Sequence, residues 1–379
     1  MQLSNRFLKK TTIAVLYIII VNTVNLASAE TIKKDVPALG LPTLNAPIDN
    51  PITQTKVNLG KKLFFDSRLS SNNTLSCAMC HIPDQGFTNN AMATSVGIEG
   101  LTGNRNSPTL YNVGYLQRLF HDGRETTLEN QVWGPLLADN EMGNASVTSV
   151  VDKIATLSDY NDLFEQAFNG KVTKPFIGMA LANYQRTLNS ANSPLDRWYY
   201  GKQEQAISKQ AQQGFKIFTG KGHCSSCHLI NQDYALFTDD KMHNTGFGYQ
   251  QSMSGKPLTH DITIAAGISI NVESKFITSV SGPEMEDLGL FEVTQNPDDR
   301  WKYKTPSLRN IALTRPYMHN GQLSTLEQVI LFYNKGGSPN SGLSPLIKPL
   351  NLNDEEVAAL LAFLHSLTGD NINRLSQHR

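Results

Sequence analysis

Hydrophobic positions along the chain fall into two helical repeats and one strand-like run. Ile207, Ala211, Phe215 and Phe218 recur at steps of three and four, which predicts a helix just ahead of Cys224. Near the C-terminus Val357, Leu360, Leu361 and Leu364 line one helix face. Asn353 and Glu356 form a capping-box pattern ahead of that face, and Gly369 is expected to stop the helix. Thr126 with Glu129, and Ser324 with Glu327, predict two further capping boxes that open short helices. The stretch from His228 to Lys304 is different, being rich in Gly, Thr, Ser and Asp. Within it Ile262, Ile264, Ala266, Ile268, Ile270 and Val272 alternate with a period of two. That run predicts an inserted strand or hairpin, with a plain surface loop as the alternative.

The N-terminus carries a different pattern. Arg6, Lys9 and Lys10 precede an apolar run from Thr11 to Val24, and Ala27-Ser28-Ala29 follows as a small-x-small cleavage site. Residues 1–29 therefore read as a secretory signal peptide, with an uncleaved anchor as the alternative, and the mature chain is expected in the periplasm. No later stretch approaches membrane-spanning length.

Composition narrows the class. Lys+Arg and Asp+Glu balance at 33 each in 379 residues, so no nucleic-acid or other polyanionic partner is indicated. Charged residues make up only 17%, and the many Gly, Asn and Ser residues point to long ordered loops. A mature length of about 350 residues suggests two domains.

Four cysteines occur in the chain. All lie in C-x-x-C-H pentads, Cys77-Ala78-Met79-Cys80-His81 and Cys224-Ser225-Ser226-Cys227-His228. The pentad is the c-type haem attachment signature: two thiols add to vinyl groups and the adjacent His ligates the iron. A disulfide pair or a four-cysteine zinc site is the rival. Neither needs a His after each second Cys, and the two halves are far apart in sequence. Attachment fixes one axial ligand per iron, His81 or His228. What fills the opposite face separates an electron carrier, with both irons closed, from an enzyme with one open iron and acid/base groups above it.

Several segments resemble the bacterial di-haem cytochrome c peroxidase family, which includes the methylamine-utilisation protein MauG. They are Arg105-Asn106-Ser107-Pro108-Thr109, His121-Asp122-Gly123-Arg124, Leu128-Glu129-Asn130-Gln131, Gly134-Pro135-Leu136 and Glu141-Met142-Gly143. Thr305-Pro306-Ser307-Leu308-Arg309-Asn310, Pro316-Tyr317-Met318-His319-Asn320-Gly321 and Thr325-Leu326-Glu327 belong to the same resemblance. It runs from roughly Leu59 to Gly369.

The resemblance implies a mainly α-helical fold of two cytochrome c-like domains, each with one covalently bound c-type haem, joined by long ordered loops. The N-terminal unit, residues 38–200, would hold the peroxidatic haem, and residues 201–369 the electron-transfer haem. Glu141 matches the distal carboxylate over the open first haem, with Gln131 and Pro135 lining the same pocket. A carboxylate there can take a proton from peroxide and return it to the departing oxygen. Asn106, with the backbone carbonyls of Thr314 and Pro316, matches a calcium site between the haems, an all-oxygen set suited to a hard cation.

The chain departs from the peroxidase pattern at three places. The loop that carries a blocking His in many family members reads Val96-Gly97-Ile98-Glu99-Gly100, so the first iron is expected to be open without reductive activation unless Glu99 blocks it. Tyr333 stands where peroxidases supply a Met ligand to the second haem and MauG-like proteins a Tyr. A thioether raises the potential, whereas an anionic phenolate favours oxidised iron. His121 replaces the Trp that mediates electron transfer between the haems, and His is a poorer hole carrier.

Together these readings predict a periplasmic di-haem peroxidase that reduces hydrogen peroxide with electrons from a small cytochrome c or copper protein (a cupredoxin). The alternative is a MauG-like oxidase acting on residues of a specific partner protein, and the non-enzyme alternative is a di-haem electron carrier. The inserted Ile-rich segment could serve as a docking surface for either partner. Family peroxidases pair and MauG does not, so a homodimer stays open.

Overall fold

The computed structural model describes residues 38–254, 259–265, 268–273, 275–276 and 286–377. The signal peptide expected at residues 1–29, and Ala266 in the alternating run, lie outside the described residues. Among the described residues no helix is long and apolar enough to cross a membrane.

Helices dominate, and buried apolar side chains gather in two clusters. One is built around Leu63, Phe64, Leu136, Tyr160, Phe164, Ile177 and Tyr184, the other around Phe218, Phe237, Ile330, Leu360 and Phe363. Leu195 already belongs to the second cluster, and Leu375 returns to the first.

Each cluster is organised by one close helix crossing. In the first, α1 (Gln54–Phe65) crosses α4 (Lys174–Gln185), with the shorter α2 (Leu128–Gln131) and α3 (Trp133–Leu137) alongside. In the second, α5 (Lys209–Thr219) crosses α8 (Asp354–His365), with α7 (Leu326–Asn334) beside them. Glycine makes both crossings: a Cβ on Gly60 would lie 1.9 Å from the Ala180 carbonyl oxygen, and one on Gly214 would lie 2.0 Å from that of Ala359. Any side chain there would force the helix pair apart.

The same local structures recur in both halves at one fixed separation along the chain. Ser107-Pro108-Thr109-Leu110-Tyr111-Asn112 answers to Thr305-Pro306-Ser307-Leu308-Arg309-Asn310, and His121-Asp122-Gly123 to His319-Asn320-Gly321. Asn112 and Asn310 both sit at φ 60°, each capping a 3₁₀ turn. Phe120 and Met318 take positive φ before the paired histidines. The halves also exchange backbone hydrogen bonds reciprocally: Asn106 N donates to His319 O at 2.7 Å, and Lys304 N donates to His121 O at 2.8 Å. His121 and His319 therefore face one junction.

The predicted helices form, with shifts of register. The run leading into the second pentad becomes α5, capped by Ser208, so Ile207 is buried just before the helix rather than in it. The Asn353–Glu356 box makes both of its bonds, but α8 ends at His365, before Gly369. The other two boxes start one residue later than expected. Thr127 accepts from Asn130 N, and Thr325 boxes with Gln328. Glu129 is unavailable as a box partner because it pairs with Arg186 at 2.7 Å and accepts from Asn50 at 2.7 Å.

The Ile-rich run is a hairpin. β2 (Thr259–Ala265) pairs antiparallel with β3 (Ile268–Glu273), putting Ile262 opposite Ile270 with a bulge between Thr263 and Ala265. Ile262, Ile268 and Ile270 are exposed. A second two-stranded ladder, β1 (Met242–His243) with β4 (Tyr303–Lys304), pairs His243 with Tyr303 and closes the insertion.

Candidate functional site

Both pentads are presented in the same way. Cys77–Cys80 form one helical turn that ends at His81, and Cys224–Ser226 form a 3₁₀ turn ahead of Cys227 and His228. The Nδ1 of His81 lies 3.2 Å from the Phe87 carbonyl oxygen, and that of His228 lies 2.8 Å from the Phe237 carbonyl oxygen. Phe87 and Phe237 hold φ of 53° and 54°, a conformation costly for a bulky residue, which turns each carbonyl toward its ring. A carbonyl on Nδ1 fixes the tautomer and leaves Nε2 as the outward ligand atom. Burial pulls both imidazoles below their ordinary pKa, against the pull of those carbonyls, so both rings are neutral, as a metal ligand requires.

The four thiols form no disulfide. Burial pushes Cys77 and Cys224 up to about 12 and Cys227 up to about 11, so these are neutral thiols rather than metal-ready thiolates. Among the described residues, the metal-like grouping that includes a cysteine is Cys227 with Asp239 and His243, not the two pentads together. His243 Nε2 lies 2.8 Å from Asp239. Half-buried cysteines beside a neutral, oriented histidine, twice over, fit covalent haem rather than a shared zinc ion.

Glu141 stands in a turn that folds back on α3. Its own N–H donates to Ala138 O, Met142 N to Pro135 O at 3.1 Å, and Asn144 Nδ2 to Leu136 O and Leu69 O, both at 2.8 Å. Burial raises the Glu141 carboxyl above the ordinary carboxylate range, opposed by the Arg124 guanidinium. The Glu141 charge in turn raises Cys77 and Cys80, so the carboxyl lies within electrostatic reach of the first pentad. Arg124 lies 3.5 Å over the Phe120 ring and pairs with Asp122 at 2.8 Å, and Phe120 packs on Gly134 between Gln131 and Pro135. Gln131 and Pro135 are themselves half-buried.

The loop without the blocking histidine packs directly on this turn. Ile98 N donates to Glu141 O at 2.9 Å, and a Cβ on Gly97 would lie 2.0 Å from Asn140 O. Glu99, held at φ 56°, is exposed to solvent.

In the second half Tyr333 is half-buried near the end of α7. Burial pushes its phenol well above the ordinary range, and the charges of Cys227 and Cys224 add to the shift, while a hydrogen bond with Thr245 opposes it. The phenol thus lies within electrostatic reach of the second pentad, as Glu141 does of the first. Trp133 is a core residue, 6% exposed.

At the junction of the halves, His121 Nε2 lies 2.9 Å from Asn106 O, and burial lowers its pKa to about 4. The Asn106 amide nitrogen donates to Ala93 O at 2.9 Å, which turns its Oδ1 into the atom on offer to a cation. Thr314 and Pro316 follow the 3₁₀ turn capped by Asn310. The sequence did not flag the ion-pair network here. Arg105 holds Asp287 with two hydrogen bonds of 2.7 Å and also pairs with Asp122 and Glu292. His319 is buried, stacked on Tyr303 at 3.8 Å and 12°. No local motif announces these contacts, since Asp287 and Tyr303 come from the insertion and its closing strand.

A sequence model of the family described as di-haem cytochrome c peroxidase matches residues 54–204. The chain is 34% identical to cytochrome-c peroxidase IdrP1 of Denitromonas iodatirespirans, over 90% of this chain and 89% of that protein. It is 35% identical to the methylamine utilization protein MauG of Methylorubrum extorquens, over 86% of this chain and 81% of that one. Among solved structures, a MauG-like protein associated with microbial copper homeostasis superposes with a TM-score of 0.70 at 30% identity, covering 90% of this chain and 96% of the other.

Proposed function

The chain belongs to the di-haem cytochrome c peroxidase family and is a peroxidase-type oxidoreductase, and from that premise we propose how its residues divide the work. Residues 38–200 and 201–369 form two cytochrome c-like units, with haem joined covalently through Cys77, Cys80 and His81 in one and through Cys224, Cys227 and His228 in the other. Haem in the first unit supplies the iron at which peroxide is reduced, and haem in the second the iron that exchanges electrons with a partner.

One observation carries the assignment of the open site. Counted from Thr127 and Thr325, Pro135 in the first half and Tyr333 in the second hold the same position in the repeat, Pro135 on α3 just past the break at Val132 and Tyr333 on the continuous α7. Tyrosine offers an oxygen ligand there and proline offers none. Four residues earlier the exchange is Gln131 for Val329, a hydrogen-bonding side chain on the side that must handle peroxide. Glu141 completes that side. Its carboxylate accepts a proton from bound peroxide and donates it to the departing oxygen, while the Gln131 amide orients the substrate. Its raised pKa brings acid and base roles closer to neutral pH. Asn106 Oδ1 with the carbonyls of Thr314 and Pro316 would hold one calcium ion near the junction.

Electrons come from a small periplasmic cytochrome c or copper protein, the chain being exported by its leader. A second reading is favoured by Tyr333 itself. An anionic phenolate stabilises oxidised iron, so the second haem would serve better as a store of oxidising equivalents, directed at residues of a partner protein as in a MauG-like oxidase.

Electron paramagnetic resonance of the diferric holoprotein, before and after one equivalent of peroxide, tests the core claim. One high-spin and one low-spin ferric signal are expected, both responding to peroxide. Two low-spin signals and no reaction would make the protein an electron carrier. Fast turnover with a reduced cytochrome or cupredoxin separates the peroxidase reading from the partner-oxidising one.

A further inference from the structure

His121 is a poor charge carrier at the junction between the halves, yet an oxidisable ring lies one residue away in space. Tyr303 stacks on His319, the counterpart of His121 in the second half, with centroids 3.8 Å apart and planes within 12°. Its hydroxyl donates to the Asp287 backbone carbonyl at 3.1 Å. Rings continue from this stack in two directions. Inward, His319 meets Phe247 at 5.9 Å, Phe247 meets Phe332 at 5.3 Å, and Phe332 meets Tyr333 at 5.3 Å. Outward, Tyr303 and Trp301 both pack on Gly248, where a Cβ would lie 2.8 Å from the Tyr303 ring and 3.4 Å from the Trp301 Cβ. Trp301 then meets Tyr249 edge-on at 5.1 Å, and its indole N–H donates to Ser252 at 3.0 Å. Trp301 and Tyr249 are half-buried, so the outward end reaches solvent.

We propose that Tyr303 is the electron carrier at the junction of the two halves and that the Trp301–Tyr249 pair is the surface entrance to it, used by a redox protein that docks there. The proposal rests on the peroxidase reading above. Its oxidant is peroxide: two one-electron transfers along the rings, with two protons from solvent, reduce one peroxide to two waters. In each transfer Tyr303 gives one electron toward the haem sites and its phenolic proton to solvent. One electron from Trp301, itself refilled by the docked donor, then restores Tyr303 as the proton returns. Phe247 and Phe332 bridge without being oxidised.

Gly248 explains why the rings can sit so close. It lets the α6 backbone (Phe247–Met253) lie directly against Tyr303 and Trp301. The surroundings suit docking as well, since Met253, at the end of α6, and Val293 are exposed apolar side chains.

The test uses the holoprotein and Tyr303→Phe, which keeps the stack and removes only the oxidisable hydroxyl. After one equivalent of peroxide without donor, freeze-quenched wild type should yield a tyrosyl or tryptophanyl radical signal, and mass spectrometry should find oxidation at Tyr303, Trp301 or Tyr249. Tyr303→Phe should lose the tyrosyl component and slow donor turnover roughly tenfold or more, with both haem spectra unchanged. Adding His121→Trp should restore turnover by supplying another carrier at the junction. An unaltered radical yield in Tyr303→Phe, or oxidation confined to Trp133, overturns the proposal. Failure of wild type to react with peroxide at all would instead overturn the peroxidase reading.

Discussion

Pro135 and Tyr333 occupy one position in the internal repeat, each eight residues beyond a threonine N-cap, Thr127 or Thr325, the first copy breaking at Val132 between α2 and α3 and the second running unbroken as α7. The first is a ring without a donor atom and the second a phenol within electrostatic reach of the Cys224–Cys227 pair. On the proposed reading, the exchange of proline for tyrosine at this repeat position distinguishes an open site from a closed one.

That relationship makes Pro135→His informative. A histidine at the Tyr333-equivalent position should reach the first iron and close it. The expected result is loss of the high-spin ferric signal and of most peroxidase activity, with the second haem unchanged. Retention of the high-spin signal would mean that the two helices do not present equivalent faces to their haems.

Tyr333→Phe should alter only the second haem. Its low-spin signal is expected to broaden or convert to high-spin, and its reduction potential to rise, because an anionic oxygen no longer stabilises the oxidised state. Tyr333→Met should raise the potential further while restoring low-spin iron. Potentiometric titration reads both, and an unaltered spectrum in Tyr333→Phe would remove the phenol from the ligand set.

Glu141→Gln should lower kcat by about 10²- to 10⁴-fold, the usual share of a general acid–base group, with little change in haem absorption. The pH profile should change shape too. Burial raises the Glu141 pKa, so wild-type activity should fall on the acid side at a pH above the ordinary glutamate value, where the carboxylate takes up its proton. Glu141→Gln should lack that limb. Arg124→Gln should move it to higher pH, because the guanidinium now opposes protonation.

Much of this architecture is legible in the order of residues alone. The pentads are local and short, so Cys77–His81 and Cys224–His228 declare themselves. The α5 and α8 faces repeat over three turns and are equally legible. The capping boxes slipped by one residue because Thr126 and Thr127 are adjacent, as are Ser324 and Thr325, and the choice between neighbours is made by packing. Glu129 is engaged by Arg186, a partner from α4 that no local pattern reveals. The internal repeat had a usable signal in the P-x-L-x-N and T-L-E segments of both halves. It yields the Pro135–Tyr333 equivalence by simple alignment of the chain with itself. The Arg105–Asp287 pair had no such signal because it joins segments far apart in sequence, and the Tyr303–His319 stack had none because its geometry is set by the strand that closes the insertion.

Asp287 carries a prediction about acid stability. Burial alone would raise its carboxyl, but the hydrogen bonds and charge of Arg105 bring it down to about 2 from an ordinary 3.8. Its folded-state value lies below its unfolded one, so the stabilisation is present above a pH of about 4 and drains away as the pH falls toward about 2. The amount is on the order of 2 kcal/mol. Urea denaturation of wild type and Asp287→Asn at several pH values should show the two converging in that acid window. A constant gap across it would show that the carboxylate charge is not the source of the stability.

The Arg309–Asp196 pair is a harsher case, because both side chains are at most 2% exposed. The guanidinium makes two bonds of 2.9 Å to Asp196, one of 2.7 Å from Nε to Ala235 O, and another to Gly40 O. It thus fastens the N-terminal segment, the loop after the second pentad and the helix Pro194–Tyr199 to one point. Removing one partner leaves the other charge buried and unpaired, which costs about 3–5 kcal/mol. Asp196→Ala also removes the capping bond from Ser193 N, adding about 1 kcal/mol. Both Asp196→Ala and Arg309→Met should therefore lower the midpoint of denaturant unfolding strongly. The double variant should be more stable than the sum of the two losses implies, since no lone charge remains to be hydrated. Strict additivity in that cycle would mean that solvent reaches the pair when one member is absent.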